Sequence, residues 1–315
     1  MAAIDPVVLF FILGLVAGLL RSDLRLPPAI YDFLVVLLLL AIGLKGGVEL
    51  AKASFAILST QIVFVLLMGV VLTLVAFSIL RYLGRLSRVD AASIAAHFGS
   101  VSVGTFAVAT AYLSSQHIAF ESHIPLFVVL LELPGIVIGV VLAKGISKGT
   151  RWGILAREMF FGKSIILLLG GLLIGWVAGP AGVEPLGKLF FDTFKGVLAL
   201  FLLEMGLICA TQMGSLRRHG IFLVGFGIVM PLLGSVIGGV FGWIMGLSVG
   251  GTMLLATLAA SASYIAAPAV MRLTVPDSNP TLSLMTSLGV AFPFNVTLGS
   301  PLYMKLAFLI HSWGV

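Results

Sequence analysis

The chain has 315 residues, 60% of them hydrophobic and 10% charged, with a mean hydropathy of +1.21. A soluble domain needs about a quarter of its residues charged, so this composition excludes one and defines a polytopic integral membrane protein. The net charge of +6 indicates nucleic acid only where basic residues form a face; here they fall in short loops, so nucleic acid is excluded as a partner and membrane topology accounts for them.

Apolar runs of about 17 to 25 residues are long enough to cross a bilayer, and ten stretches are read as spans. The first covers about Val7 to Leu20; with no basic n-region before it and no clear cleavage site after it, it is read as a helix rather than a signal peptide. The second runs from Ala29 to Leu44, the third from Phe55 to Leu80, the fourth from Ala91 to Leu113 and the fifth from Ile124 to Ala143. A polar linker from Lys144 to Lys163 divides the chain, and five more spans follow: Ser164 to Ala178, Leu189 to Cys209, Ile221 to Met245, Gly251 to Leu273 and Thr281 to Ile310. Cys209 is the one cysteine, which excludes a disulfide framework and a thiolate metal site.

The spans form two sets. Ser261 and Ser263 lie 161 residues after Ser100 and Ser102; Gly14 to Gly18 is matched by Gly175 to Gly179 at the same offset, and Leu86-Ser87 by Leu247-Ser248. Leu39 to Leu44 is matched by Leu202 to Leu207 at 163, and Pro134 by Pro293 at 159. Five matches in one order predict an internal repeat. An odd number of spans per copy makes the copies inverted, the usual build of secondary transporters. The fold expected is therefore all-α, with ten transmembrane helices in a 5+5 inverted repeat: the first repeat over 1–145, a linker over 146–163 and the second repeat over 164–315. Alternating the loops puts thirteen Lys and Arg on one side and five on the other. The linker is then cytoplasmic and both termini lie outside, in a bacterial inner membrane.

The fourth and ninth spans are interrupted, by Phe98-Gly99-Ser100-Val101-Ser102-Val103-Gly104-Thr105 and by Ala259-Ala260-Ser261-Ala262-Ser263-Tyr264-Ile265-Ala266-Ala267-Pro268. Unpaired backbone in hydrocarbon costs several kcal/mol per group, so such a break survives only where it lines a cavity inside the protein. Bare N–H groups at half-helix starts suit an anion, and carbonyl ends and hydroxyls suit a sodium ion. Ser102, Gly104, Thr105, Ser263, Tyr264, Ala266 and Ala267 are the expected anion-binding set. Ser100, Ser102, Glu132, Ser261, Ser263 and Asn295 are the expected sodium-binding set, with sodium as coupling ion and no cofactor. The other reading of these small residues is close helix crossing. Glu132, inside the fifth span, supplies either negative charge near a cation or a packing hydrogen bond; Glu204 and His97 are weaker candidates of the same kind. Tyr264 is a ligand, a gate or packing, and Asn295 a cation ligand or packing. No hydrolytic triad, phosphate loop, zinc spacing or dinucleotide fingerprint is present, which excludes an enzyme.

These residues also resemble the sodium-dependent bicarbonate transporters best known from cyanobacteria. The likeness is carried by the ninth-span motif with Arg272 and Pro276-Asp277-Ser278-Asn279-Pro280, by Ile42 to Gly47, Val89-Asp90-Ala91, Phe98 to Thr105 and Glu132-Leu133-Pro134, and by Met205-Gly206 with Leu216-Arg217. It implies a core domain moving against a gate domain, a homotrimer, and bicarbonate or a similar small anion taken up with sodium. The chain departs from the cyanobacterial pattern at Tyr264, where the pattern has Asp, at Ala267-Pro268-Ala269 in place of Gly-Pro-Pro, and at Ala41 in place of Lys. Its linker is also shorter, so a soluble nitrogen-regulator-like partner is not carried over. Two other readings fit the residues: a cation/proton antiporter or organic-anion symporter, and a membrane receptor that binds an anion without moving it.

Overall fold

The computed structural model describes residues 5–50, 55–145 and 161–312, with 153 and 157. Among the described residues every regular element is helical. In chain order these are α1 (Pro6–Leu19), α2 (Pro28–Leu50), α3 (Phe55–Ser78, ending in a π turn over Ile79–Leu83), α4 (Arg88–Phe98), α5 (Val103–Ser115) and α6 (Ile124–Lys144). After the linker come α7 (Lys163–Val183), α8 (Phe194–His219), α9 (Ile221–Ile244), α10 (Val249–Ala260), α11 (Ala266–Thr274) and α12 (Pro280–His311). Among the described residues, eight helical stretches are long and apolar enough to cross a membrane, with α4 and α5 taken together as one; α1 and α10 are apolar but shorter. The chain is thus a multi-pass membrane protein.

Local sequence sets the ends. Asp5 accepts a hydrogen bond from Val7 N at 3.0 Å and Pro6 opens α1, where a missing N–H costs nothing. Ser87 caps α4 through the Asp90 amide, 3.0 Å, and Ser248 caps α10 through the Gly251 amide, 3.1 Å. Gly179, at φ +64°, turns the chain before Pro180 inside α7. Around Pro293, α12 carries two π turns, Ser287–Ala291 and Asn295–Gly299, which absorb the hydrogen bond that proline cannot donate.

Glycines let the helices cross closely. α1 packs on α8 and α2 on α7. A Cβ at Gly206 would overlap the α1 backbone at Phe11 and Leu15, and one at Gly43 would overlap the α7 backbone at Leu168 and Gly171. Gly14, Gly43, Gly175 and Gly206, four of the glycines matched in the sequence at these offsets, sit at these two crossings. The outward faces are apolar: Val177 is 79% exposed and Val63 65%. The buried set instead contains Ser93, His97, Ser100, Thr105, Glu132 and Asn295. The interior holds polar groups beside its apolar core while the outer faces are apolar, which suits lipid as solvent.

Candidate functional site

Both predicted interruptions are breaks in the helix. α4 ends at Phe98 and α5 begins at Val103; α10 ends at Ala260 and α11 begins at Ala266. At the first, the Ser102 Oγ accepts from the Thr105 amide, 3.1 Å, and the Thr105 hydroxyl, 3.0 Å. At the second, the Ser261 amide and hydroxyl both donate to Leu258 O, and the Ala267 amide donates to Ser263 Oγ, 3.2 Å. The two breaks are joined to each other: Ser102 N donates to Ser261 Oγ at 2.9 Å, and Ser263 N donates to His97 O at 2.8 Å. Ser102, Thr105, Ser261 and Ser263 are each no more than 3% exposed, so four expected site residues form one buried knot. Ser100 is buried beside it, its Oγ without a hydrogen-bond partner.

Glycines bring backbone against these breaks. A Cβ at Gly135, one residue after Pro134 in α6, would overlap the Gly99 carbonyl and the Ser100 amide. A Cβ at Gly99 would overlap the Thr73 side chain of α3. The second half solves the same crowding the other way round. At the positions 161 residues on stand Ala260 and Gly234 of α9, and there it is the α9 glycine that admits the break, since a Cβ at Gly234 would overlap the backbone of Ala259.

The remaining expected residues divide. The Tyr264 hydroxyl is buried over Gly104 and lacks full hydrogen-bond geometry to any group, while its ring meets Phe292 edge-on at 5.1 Å between centroids. A side chain at Gly104 would collide with that hydroxyl. Tyr264 therefore stands at the start of α5, where the bare amides are. Ala266 and Ala267 open α11, and the Ala267 amide is already held by Ser263. Asn295 donates from Nδ2 to Ala260 O at 3.0 Å and accepts the Tyr303 hydroxyl on Oδ1. Both ends of its amide thus bind protein, and it ties α12 to the end of α10. Glu132 is 5% exposed in α6, one turn before Gly135. Glu204 lies in α8 with Oε2 buried and unpartnered.

Two loop contacts at the starts of the broken segments have no counterpart in the sequence reading. Glu121, between α5 and α6, accepts from Ser248 N at 2.5 Å and from Ser248 Oγ at 3.2 Å, at the start of α10. Asp90, in the first turn of α4, accepts from the Asn279 amide at 2.8 Å in the loop before α12. Gly251 stands 161 residues after Asp90, and a Cβ there would overlap Glu121 Oε2. In the first half the helix start carries its own carboxylate; in the second it leaves room for one supplied by the other half.

Fold and site together define an all-helical, multi-pass membrane protein whose buried polar interior is built where two helices break and join. A family model of the Na+-dependent bicarbonate transporter superfamily matches residues 6–308, nearly the whole chain. The chain belongs to that superfamily, a family of transporters and not of enzymes. No curated protein matches the chain.

Proposed function

We propose that the chain is a symporter that takes up bicarbonate with sodium through a 5+5 inverted repeat. The observation that carries the reading is the direct joining of the two breaks, through Ser102 N to Ser261 Oγ and Ser263 N to His97 O. The repeat is supported by exchanged pairings: α1 on α8 answers α2 on α7, and Thr73 against Gly99 answers Gly234 against Ala260. On this reading residues 1–145 and 164–315 are the repeats, the linker over 146–163 is cytoplasmic and both termini lie outside the inner membrane. α1, α2, α7 and α8 form the gate domain, and the remaining helices form the core domain that carries the breaks.

The anion sits against the amide ends of α5 and α11, bounded by Ser102, Gly104, Thr105, Ser263, Ala266 and Ala267, where partial positive charge and N–H groups meet it. Tyr264 acts as the gate: its hydroxyl leaves Gly104 before an anion reaches those amides. Sodium sits against the carbonyl ends of α4 and α10 with the hydroxyls of Ser100, Ser102, Ser261 and Ser263, and Glu132 supplies the balancing charge. Asn295 holds the Ala260 carbonyl in place. Each ion raises the affinity of the other, because opposite charges share a water-poor site. The test is uptake of labelled bicarbonate into proteoliposomes with an inward sodium gradient. Accumulation should follow sodium and collapse when choline replaces it; equal uptake in both refutes the coupling.

A further inference from the structure

A cavity of about 110 Å³ lies beside the first break, between α4, α11 and the loop leading to α12. Its lining includes Ser93, His97, Arg272, Ser278 and Ser283. His97 is among the residues around the cavity, is 1% exposed, and its Nε2 is buried with no hydrogen-bond partner. The Nδ1 atom is 2.8 Å from Ser93 O. A carbonyl only accepts, so Nδ1 carries the hydrogen, and Nε2 of the neutral ring keeps an unused lone pair. Ser93 and Ser283 face each other there, 3.1 Å apart between hydroxyl oxygens, and Arg272 brings a guanidinium with paired donors.

We propose that this cavity is a second anion site, for a small oxyanion that carries its own proton. Arg272 takes the charged oxygens, and His97 Nε2 accepts the hydrogen bond from the anion's O–H. A cation alone would take any anion; a cation beside a buried acceptor selects one with a hydrogen to give, because an unprotonated oxyanion would set its lone pairs against that of Nε2. The volume holds about three or four waters' share of liquid, room for one carbon-centred oxyanion. The site is not a product of the repeat. At the positions 161 residues from His97, Ser93 and Arg272 the chain has Leu258, Leu254 and Ala111, so these polar groups belong to one side of the protein only. Arg272 and the loop to α12 fall on the proposed cytoplasmic side, which makes the cavity a release site for the transported anion. The inference rests on the transport reading for that role and for the choice of bicarbonate as probe.

The full chain, labelled with 15N-histidine and purified in detergent, is titrated with bicarbonate and, separately, with nitrate, which is similar in shape but has no hydrogen. The His97 resonance is the one lost in His97→Gln; if that variant does not fold, single substitutions of the other four histidines assign it by elimination. Bicarbonate should shift the Nε2 signal to saturation, and nitrate should bind at least tenfold more weakly. Arg272→Gln, at an exposed position, should weaken the bicarbonate midpoint roughly tenfold, the effect of one lost charged hydrogen bond. A His97 signal unmoved by bicarbonate, an equal response to nitrate, or an unchanged midpoint in Arg272→Gln overturns the proposal. A shift without sodium-driven uptake refutes the transport reading and leaves the site; uptake without a shift does the reverse.

Discussion

The paired packing of Gly99 against Thr73, and of Ala260 against Gly234, predicts the outcome of exchanging one solution for the other. Gly99→Ala places a methyl 2.8 Å from Thr73 Cβ and closer still to its hydroxyl. Gly99 has φ −89°, a conformation alanine adopts freely, so the whole cost is overpacking, about 1 to 3 kcal/mol. Thr73→Gly alone removes a fully buried side chain from the middle of α3 and costs about 1 to 2 kcal/mol in helix propensity and lost packing. Independent effects would add to between about 2 and 5 kcal/mol. The double variant removes the clash with Thr73 and leaves a 3.1 Å approach to Gly135 Cα, so it should lie close in stability to Thr73→Gly, a coupling of about 1 to 3 kcal/mol. Equilibrium unfolding of all four proteins in the same detergent measures it. Additivity within about 0.5 kcal/mol would refute the equivalence of the two breaks.

Ser261→Ala removes the acceptor of the buried Ser102 amide and should cost about 1 to 3 kcal/mol, read as a lower denaturation midpoint, with sodium-driven uptake falling in parallel. Glu121→Gln weakens a charged cap on α10 and should cost about 0.5 to 2 kcal/mol by the same unfolding measurement; unchanged stability would mean that Glu121 does not hold Ser248. Tyr264→Phe deletes a hydroxyl that lacks full hydrogen-bond geometry to any group and keeps the ring on Phe292, so unfolding should shift by less than about 0.5 kcal/mol or move toward greater stability. A large loss there would show that the hydroxyl is a structural strut rather than a movable group.

The breaks were legible because their cause is local. Runs of Gly, Ser and Pro lower helix propensity wherever they occur, and two runs at one offset cannot both be accidents of composition. Burial of Glu132 was legible for the same reason, since a carboxylate inside an apolar run has nowhere polar to go except inward. The roles of Glu121 and Asp90 were not, because an acidic residue in a loop looks the same whether water or a distant helix start receives it. Thr73 and Gly234 were equally silent: their meaning lies in a contact with a residue more than twenty positions away. Asn295 was read as a ligand or as packing, and its bonds to Ala260 and Tyr303 depend on the π turns of α12, which a periodicity of 3.6 does not reveal.

The loop contacts at Asp90 and Glu121 have a mechanical outcome. Each half of the chain reaches across with a hairpin and grips the mouth of the other half's interrupted segment, like two hands holding opposite wrists. Each contact ties the start of one segment to a loop of the other half. A displacement of either segment therefore acts on the other half directly, through a hydrogen-bonded contact rather than through a longer chain of residues.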